Sequence, residues 1–351
     1  FGGGPYELDR VDENGTYHLV ANPDHTRSAP LIERMEIRIE RDPSVATTRL
    51  LSGEADWVLE ASADQAQVIN GSPDHLAASR AVDTQYGVLF NVRPDRLYFD
   101  VRVRRAFVEC IDHEGLATTL DAQRHLATTP YTATSWAMPE IEVRARDVAS
   151  ARTWLEEAGW TIGEDGIRVN EDGTRLSSTI AVRPTSIDLF TFANQAAQQL
   201  QDCGIELVVE ELDLTGDTML DQLTYPNDFD TLMRSRWLGT DPDSAVRSFE
   251  SSRMTTEDNV ADENPSGFTS ELVDHHVASA RETLDVDERA VAYAAVQEEL
   301  QTLIPYWPLW YESSTSALTR RLQDAEGPID PARSRYHWDI SAWSFAPADQ
   351  P

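Results

Sequence analysis

The chain switches twice from a β-type pattern to an amphipathic helix pattern and back, and this alternation limits its fold more than any other feature. In the clearer case, apolar residues recur every three or four positions after Ser186, Gly204 ends that segment, and residues 205–209 form a new β-prone run. Residues 35–59 show the same order, with Asp42 placed to cap the helix. Strand, helix, strand is typical of an α/β protein whose parallel strands are joined by right-handed crossovers.

Other segments add two helices and a hairpin. Asp147 is a natural N-cap for a helix over residues 148–158, and a long helix is predicted over residues 287–303. Two Asp-Gly turns between residues 161 and 182 separate short β-prone runs, which indicates a hairpin. The aromatic run at residues 306–311 is expected to lie in or beside a core.

The length and charge of the chain restrict its partners. With 351 residues it is long enough for two lobes rather than one simple core. It carries 29 basic and 61 acidic side chains, a net charge of −32, and every basic residue is an arginine. This excess repels nucleic acid and anionic membrane surfaces, and no apolar stretch approaches the roughly 20 residues that a spanning helix needs. We therefore expect no nucleic-acid partner.

Residues that carry chemistry are scarce. The motifs of common hydrolases, zinc proteases, phosphate-binding loops and dinucleotide-binding loops are absent. His275 and His276 are adjacent, and adjacent residues on a helix point about 100° apart, so they cannot bind one metal ion from that helix alone. Cys110 and Cys203 have no CxxC partner, and the sequence leaves open whether they form a disulfide. We predict no enzymatic activity, no cofactor and no metal site.

A series of short motifs runs along the chain. It consists of GGGPY at residues 2–6, NPD at 22–24, SGEAD at 52–56, FN at 90–91, FDVRVRRAF at 99–107, ID at 111–112, AGW at 158–160, GI at 204–205, WLGTDP at 237–242 and PYWPL at 305–309. In this order the series resembles family 5 extracellular solute-binding proteins, the dipeptide/oligopeptide-type binding proteins of ABC importers. The resemblance implies a periplasmic-binding-protein-like fold of class II, an α/β fold with two lobes of mixed or parallel sheets flanked by helices.

The resemblance also implies how the chain is divided. In the family, the segment that matches GGGPY lies well inside the protein, so the chain corresponds to a C-terminal portion without the N-terminal part of lobe I and without domain II. Residues 1–86 would be a lobe I segment, residues 87–325 the second lobe, and residues 326–351 a return to lobe I and a tail. The first lobe would then be incomplete, and we expect exposed strand edges in it.

Family members bind solutes between two lobes that close by a hinge motion, and they present the closed form to a membrane permease. The implied function is therefore the non-catalytic capture of dipeptides or oligopeptides by a monomer outside the cytoplasm, either in the periplasm or on a lipid anchor at the cell surface. Some family members bind sugars or nickel chelates instead. An extracytoplasmic hydrolase on an α/β scaffold and a ligand sensor without a transport role are alternatives of other classes.

The ligand site is expected around one turn. In peptide-binding members, a carboxylate just after a Trp-x-Gly turn commonly holds the α-ammonium group of the ligand. Here Thr240 stands at the carboxylate position and Asp241 follows it, so Asp241 either takes over this role or begins a turn. Arg234 and Arg236 could bind an anionic group of the ligand or neutralise nearby acids. The predicted ligand-binding residues are Trp237, Asp241, Thr240, Gly239, Arg236 and Arg234.

Overall fold

The computed structural model describes residues 3–120, 125–137, 141, 143–183, 186–212, 223–333 and 337–347. The chain forms two compact units: unit 1 is Phe1–Ala81 with Ser313–Pro351, and unit 2 is Val82–Glu312. Strands and helices alternate along both units, and the α/β prediction is confirmed.

The described strands, numbered in chain order, are β1 Tyr6–Val11, β2 Tyr17–Ala21, β3 Arg34–Ile37, β4 Trp57–Val58, β5 His75–Phe90, β6 Thr161–Ile162, β7 Arg168–Val169, β8 Ser177–Val182, β9 Glu206–Glu211, β10 Thr231–Trp237, β11 Tyr306–Thr319, β12 Leu322–Asp324, β13 Gly327–Pro328 and β14 Ser344–Phe345. The described α-helices are α1 Pro43–Ser52, α2 Ala63–Asn70, α3 Val101–Cys110, α4 His113–Leu120, α5 Val148–Glu157, α6 Ile187–Gln201, α7 Pro242–Val246, α8 Glu271–Glu282 and α9 Val286–Leu303.

The two long strands β5 and β11 cross the divisions between the compact units, which fall after residues 81 and 312. β5 runs for 16 residues through the first division, and β11 runs for 14 residues through the second. Beyond Glu312, β11 pairs with β4, where Ala317 lies opposite Val58. The lobe boundaries at residues 86 and 325 stay a prediction of the resemblance.

Unit 1 contains a small antiparallel sheet in the order β1-β2-β3. Cross-strand neighbours share a face, and one face carries Leu8 with Leu19 and Met35, followed by Val11 with Tyr17 and Ile37. This apolar sheet face is partly open to solvent, since Leu8 is 57% exposed. The rest of the unit has its own cores around Leu50 and Ile69 and around Trp343. Asp42 caps α1 through the Ser44 N–H, as predicted.

Unit 2 is built on a sheet in the order β11-β5-β10-β8-β9. β8 runs parallel to both β9 and β10, whereas β10 runs antiparallel to β5. The helix α6 joins β8 to β9 and buries Leu189, Phe192, Ala196 and Leu200, so the predicted strand–helix–strand unit is confirmed. Ser186, a residue type that often caps helices, precedes α6 but makes no side-chain capping hydrogen bond.

The remaining local predictions are confirmed. Asp147 caps α5 as predicted, and the aromatic run of β11 is almost entirely buried. Around the first Asp-Gly turn β6 pairs with β7, and the second turn is closed by an antiparallel bridge between Val169 and Arg175. Beyond this bridge the chain enters β8, which pairs with β9 and β10 in the main sheet.

A disulfide joins α3 to the end of α6. Cys110 and Cys203 are bonded, with their Cα atoms 6.4 Å apart, and neither residue is exposed to solvent. The bond closes a loop of 93 residues in sequence, and it decides the alternative that the sequence left open.

Candidate ligand-binding site

The predicted site residues lie at one edge of the unit 2 sheet. β8 and β10 are parallel, with Thr231 opposite Ile180 and Leu232 opposite Ala181, so both strands end at the same edge. Ligands of open α/β sheets bind outside the carboxyl ends of such strands. β10 ends at Trp237, and the continued register places Arg234 level with Arg183.

Trp237 presents its ring to solvent. It is the last residue of β10 and is 76% exposed, which is unusual for so large an apolar side chain. The next residue, Leu238, is fully buried, and its N–H donates to the Asp83 carbonyl at 2.7 Å. The backbone is therefore held firmly while the indole remains available for stacking.

Arg236 points to the opposite side of β10 and is buried. Its guanidinium donates to the Ala245 carbonyl and lies 4.9 Å from the Tyr306 ring centroid and 5.1 Å from that of Phe249. Burial lowers the pKa of Arg236 to about 10. Its Nη1 atom has no hydrogen-bond partner within the described structure.

Arg234 lies on the same side of β10, two residues before Arg236, and is partly buried. Burial lowers the pKa of Arg234, and the nearby charge of Arg183 lowers it further. Among the described residues, neither Arg234 nor Arg236 forms an ion pair with a carboxylate. The charge of Glu263 acts on Arg236 without direct contact, and both alternatives for these arginines stay predictions.

The loop after Trp237 is fixed by close contacts. A Cβ atom at Gly239 would lie 2.3 Å from the Ser244 Oγ atom, so only glycine fits there. Thr240 is exposed. Asp241 caps α7, and its Oδ1 atom accepts from the Asp243 N–H at 3.0 Å. Asp241 therefore begins the turn into α7, and its role toward a ligand stays a prediction.

Asp241 has a second partner that the sequence did not suggest. Arg289, from the first turn of α9, donates to the Asp241 Oδ1 atom at 2.7 Å. Burial raises the pKa of Asp241, but the hydrogen bonds from Arg289 and from the Asp243 N–H outweigh burial, so the pKa lies below its usual value. The side chain of Asp241 is still 48% exposed.

Two more side chains that sequence reasoning missed surround Arg289. Its guanidinium lies 5.1 Å from the Trp136 ring centroid and 5.6 Å from that of Tyr293. These residues are distant in sequence from the Trp237 turn, and no local pattern distinguishes Arg289 from the other arginines. Only the tertiary structure brings them together.

Metal and membrane features can be assessed for the described residues. No three His, Cys, Asp or Glu side chains in the described ranges are arranged to hold a metal ion. The rings of His275 and His276 lie 5.2 Å apart on α8. No helix in the described part of the chain combines the length and apolarity that crossing a bilayer requires.

The model of the bacterial extracellular solute-binding proteins, family 5 Middle, matches residues 1–256. This chain belongs to family 5 of those solute-binding proteins. The resemblance inferred from the motif order is thus confirmed, and proteins of this family are extracytoplasmic. The family 5 match contains the whole Trp237 turn.

Individual relatives agree with the family 5 membership. The oligopeptide-binding protein AppA of Bacillus subtilis is 23% identical over 98% of this chain, which spans only 62% of AppA. The structure of that AppA in complex with a nonapeptide matches with a TM-score of 0.66 and 21% identity over 98% of this chain and 66% of that one.

Two other solved structures show the same fold. HbpA2 of Haemophilus parasuis matches with a TM-score of 0.80 and 19% identity over 98% of this chain and 64% of that one. NikZ of Campylobacter jejuni in complex with Ni(L-His) matches with a TM-score of 0.69 and 20% identity over 97% of this chain and 68% of that one. The predicted periplasmic-binding-protein-like fold is thereby confirmed.

Proposed function

We propose that this family 5 protein is the non-catalytic solute-binding component of an ABC importer, and that it captures dipeptides or oligopeptides outside the cytoplasm for a membrane permease. The family membership and the peptide-binding relatives support the transport role. We further propose that the protein acts as a monomer and has no enzymatic activity.

The observation that carries the proposal is the exposed Trp237 ring beside a loop whose backbone is held in place. A flat, rigid, amphipathic ring gains contact area with a ligand at little entropic cost. Gly239 and Thr240 follow Trp237 in the same loop, and Thr240 is exposed. In this proposal the ligand lies against these three residues. Arg234 and Arg236 lie on the other side of β10, and they attract the ligand carboxylate through their electrostatic field rather than by contact.

A second candidate ligand is a metal chelate that carries carboxylates. Two features favour it: Thr240 stands where peptide-binding members have a carboxylate, and no ion pair neutralises Arg234 or Arg236 within the described residues. The fold is shared with NikZ, whose structure contains Ni(L-His).

Native mass spectrometry of gently purified protein tests the choice of ligand. A mixture of short peptides released on denaturation would support the peptide proposal, whereas one defined metal-containing mass would replace it with the chelate. Release of no mass, together with no response to peptides or chelates in the titration below, would contradict the binding function. Turnover of fluorogenic peptides or glycosides would instead favour a hydrolase.

Fluorescence titration tests the site. Addition of the released ligand to stripped protein should change the tryptophan emission, and Trp237→Phe should abolish most of that change and weaken binding. Trp338→Phe is the matched control, because Trp338 is similarly exposed at 63% but belongs to unit 1. An equal response in the Trp237→Phe variant and the wild type would place the ligand elsewhere.

A further inference from the structure

Both carboxylates of the loop after Trp237 already pair with arginines of unit 2. Asp241 accepts from Arg289 at 2.7 Å, and Asp243 accepts from Arg281 at 2.6 Å. Asp243 also accepts from the Tyr293 hydroxyl at 3.3 Å. A cationic group of a ligand that approaches this loop would therefore meet carboxylates that are engaged by internal cations.

Arg289 is held in place by more than its ion pair. Its Nε atom donates to the Ala280 carbonyl at 3.2 Å, and Nη2 also donates to the Tyr293 hydroxyl at 3.3 Å. The Trp136 and Tyr293 rings both lie within cation–π distance of the guanidinium. These contacts hold the Arg289 guanidinium beside the Asp241 Oδ1 atom, so its positive charge opposes the approach of a ligand ammonium to that carboxylate.

The charges that remain at this edge of the sheet are positive. Arg234 and Arg236 carry no carboxylate partner among the described residues, whereas Asp241 and Asp243 each have one arginine. Arg281 also donates to both carboxylate oxygens of Glu250, so it neutralises Asp243 only in part, and the positive charge without a carboxylate contact among the described residues lies at Arg234 and Arg236. Such a site attracts carboxylates and disfavours ammonium groups.

We propose that Arg289 is a specificity-determining residue, which makes the site select ligands that carry a carboxylate but no cationic amine beside Asp241. Among the peptides of the proposed function, those with a blocked N-terminus bind more tightly than those with a free N-terminus, and amine-free carboxylates also fit the site. The inference rests on the proposed function, since it assigns a ligand class to the same site.

Two matched probes separate the amine from the rest of the ligand. Ala-Ala-Ala has a free ammonium group, and propionyl-Ala-Ala is the same molecule with that group replaced by hydrogen. Calorimetric titration of the purified protein should show that propionyl-Ala-Ala binds at least about tenfold more tightly. In Arg289→Gln, which releases Asp241, the affinity for Ala-Ala-Ala should rise at least about tenfold and the preference should shrink or reverse.

Two further variants make the result specific. Arg289→Lys keeps a cation beside Asp241 and should retain the wild-type preference, which also shows that a change at this position is compatible with folding. Arg175→Gln removes the same charge from a surface arginine that bonds Asp165 and Glu206, and it should leave the preference unchanged. Circular dichroism and thermal unfolding verify that each variant is folded.

The outcomes distinguish this inference from the proposed function. If the wild type binds Ala-Ala-Ala more tightly, or if folded Arg289→Gln keeps the wild-type preference, the role of Arg289 is wrong while peptide capture stands. If neither probe binds to the wild type or to any variant, peptide capture fails, and the inference that rests on it fails as well.

Discussion

The Cys110–Cys203 disulfide should contribute a large part of the stability of unit 2. A cross-link stabilises a protein mainly by restricting the unfolded chain, and the restriction grows with the length of the closed loop. For the 93-residue separation seen here, this chain-entropy relation gives about 4–5 kcal/mol. That value is comparable to a large fraction of the stability of a typical domain, which is about 5–15 kcal/mol.

The measurement is urea-induced unfolding of the oxidised protein, the protein reduced in urea, and the variant with Cys110→Ala and Cys203→Ala. The reduced protein and the double variant should unfold at the same, much lower urea concentration. The thermal midpoint should fall by about 10–20 °C, since 1 kcal/mol corresponds to about 2–4 °C in a domain of this size. Cys110→Ala alone is the control and should match the double variant, because either change removes the bond.

The burial of both cysteines also predicts how fast the disulfide is reduced. Neither cysteine is exposed, so a reductant should attack only after local or global opening, and the reduction rate should rise with urea. The reasoning would be refuted if oxidised and reduced proteins unfolded at the same urea concentration. It would equally be refuted if two free thiols were titrated in non-reduced, unfolded protein, since the bond would then be absent.

Three further predictions concern charge and pH. Burial lowers the pKa of His113 to about 4 in the folded protein. As the pH falls below about 6.5, His113 is therefore protonated in the unfolded state but not yet in the folded state. The free energy of unfolding should decrease by about 3 kcal/mol between pH 7 and pH 4. Urea titrations at several pH values test this, and in His113→Gln, which can still donate to the Leu309 carbonyl, that component of the decrease should be missing. At pH 7, raising NaCl from about 0.05 to 1 M should raise the thermal midpoint, because salt screens the repulsion among charges that sum to −32. This effect should vanish near pH 4.4, where the net charge is close to zero, and a salt response of equal size at pH 7 and pH 4.4 would contradict the prediction. Arg236→Met should lower the free energy of unfolding less than Arg168→Met. The first change leaves one buried carbonyl, that of Ala245, without its donor, and the second leaves the Cys203 and Trp160 carbonyls without theirs, at about 1–3 kcal/mol for each carbonyl; equal losses in urea-induced unfolding would contradict this reasoning.

Local signals in the sequence predicted much of the fold. Asp42 and Asp147 were identified as helix caps because a cap depends on residues within the same turn. The buried stripe of α6 followed from its three- and four-residue spacing. Ser186 shows the limit of this reasoning, since a suitable residue type before a helix does not ensure the capping geometry.

Features that depend on pairing between distant segments were not predictable. The 16-residue strand β5 is an example, because its length depends on partners elsewhere in the chain, including β10. At the site, the Trp237 turn was identified from its motif, but the partners of Asp241 were not. Arg289 lies 48 residues further along the chain, and its ion pair exists only because α9 packs beside that loop.

The apolar sheet face of unit 1 has a consequence for the colloidal behaviour of the protein. Like charges keep molecules of this chain apart at low ionic strength, where the Debye length exceeds 10 Å. At high salt that repulsion acts only over a few ångströms, and the face around Leu8 and Val11 can then meet hydrophobic surfaces on other molecules. Stability and dispersion should therefore respond to salt in opposite directions, and the ionic strength that best preserves the folded state should not be the one that best prevents association.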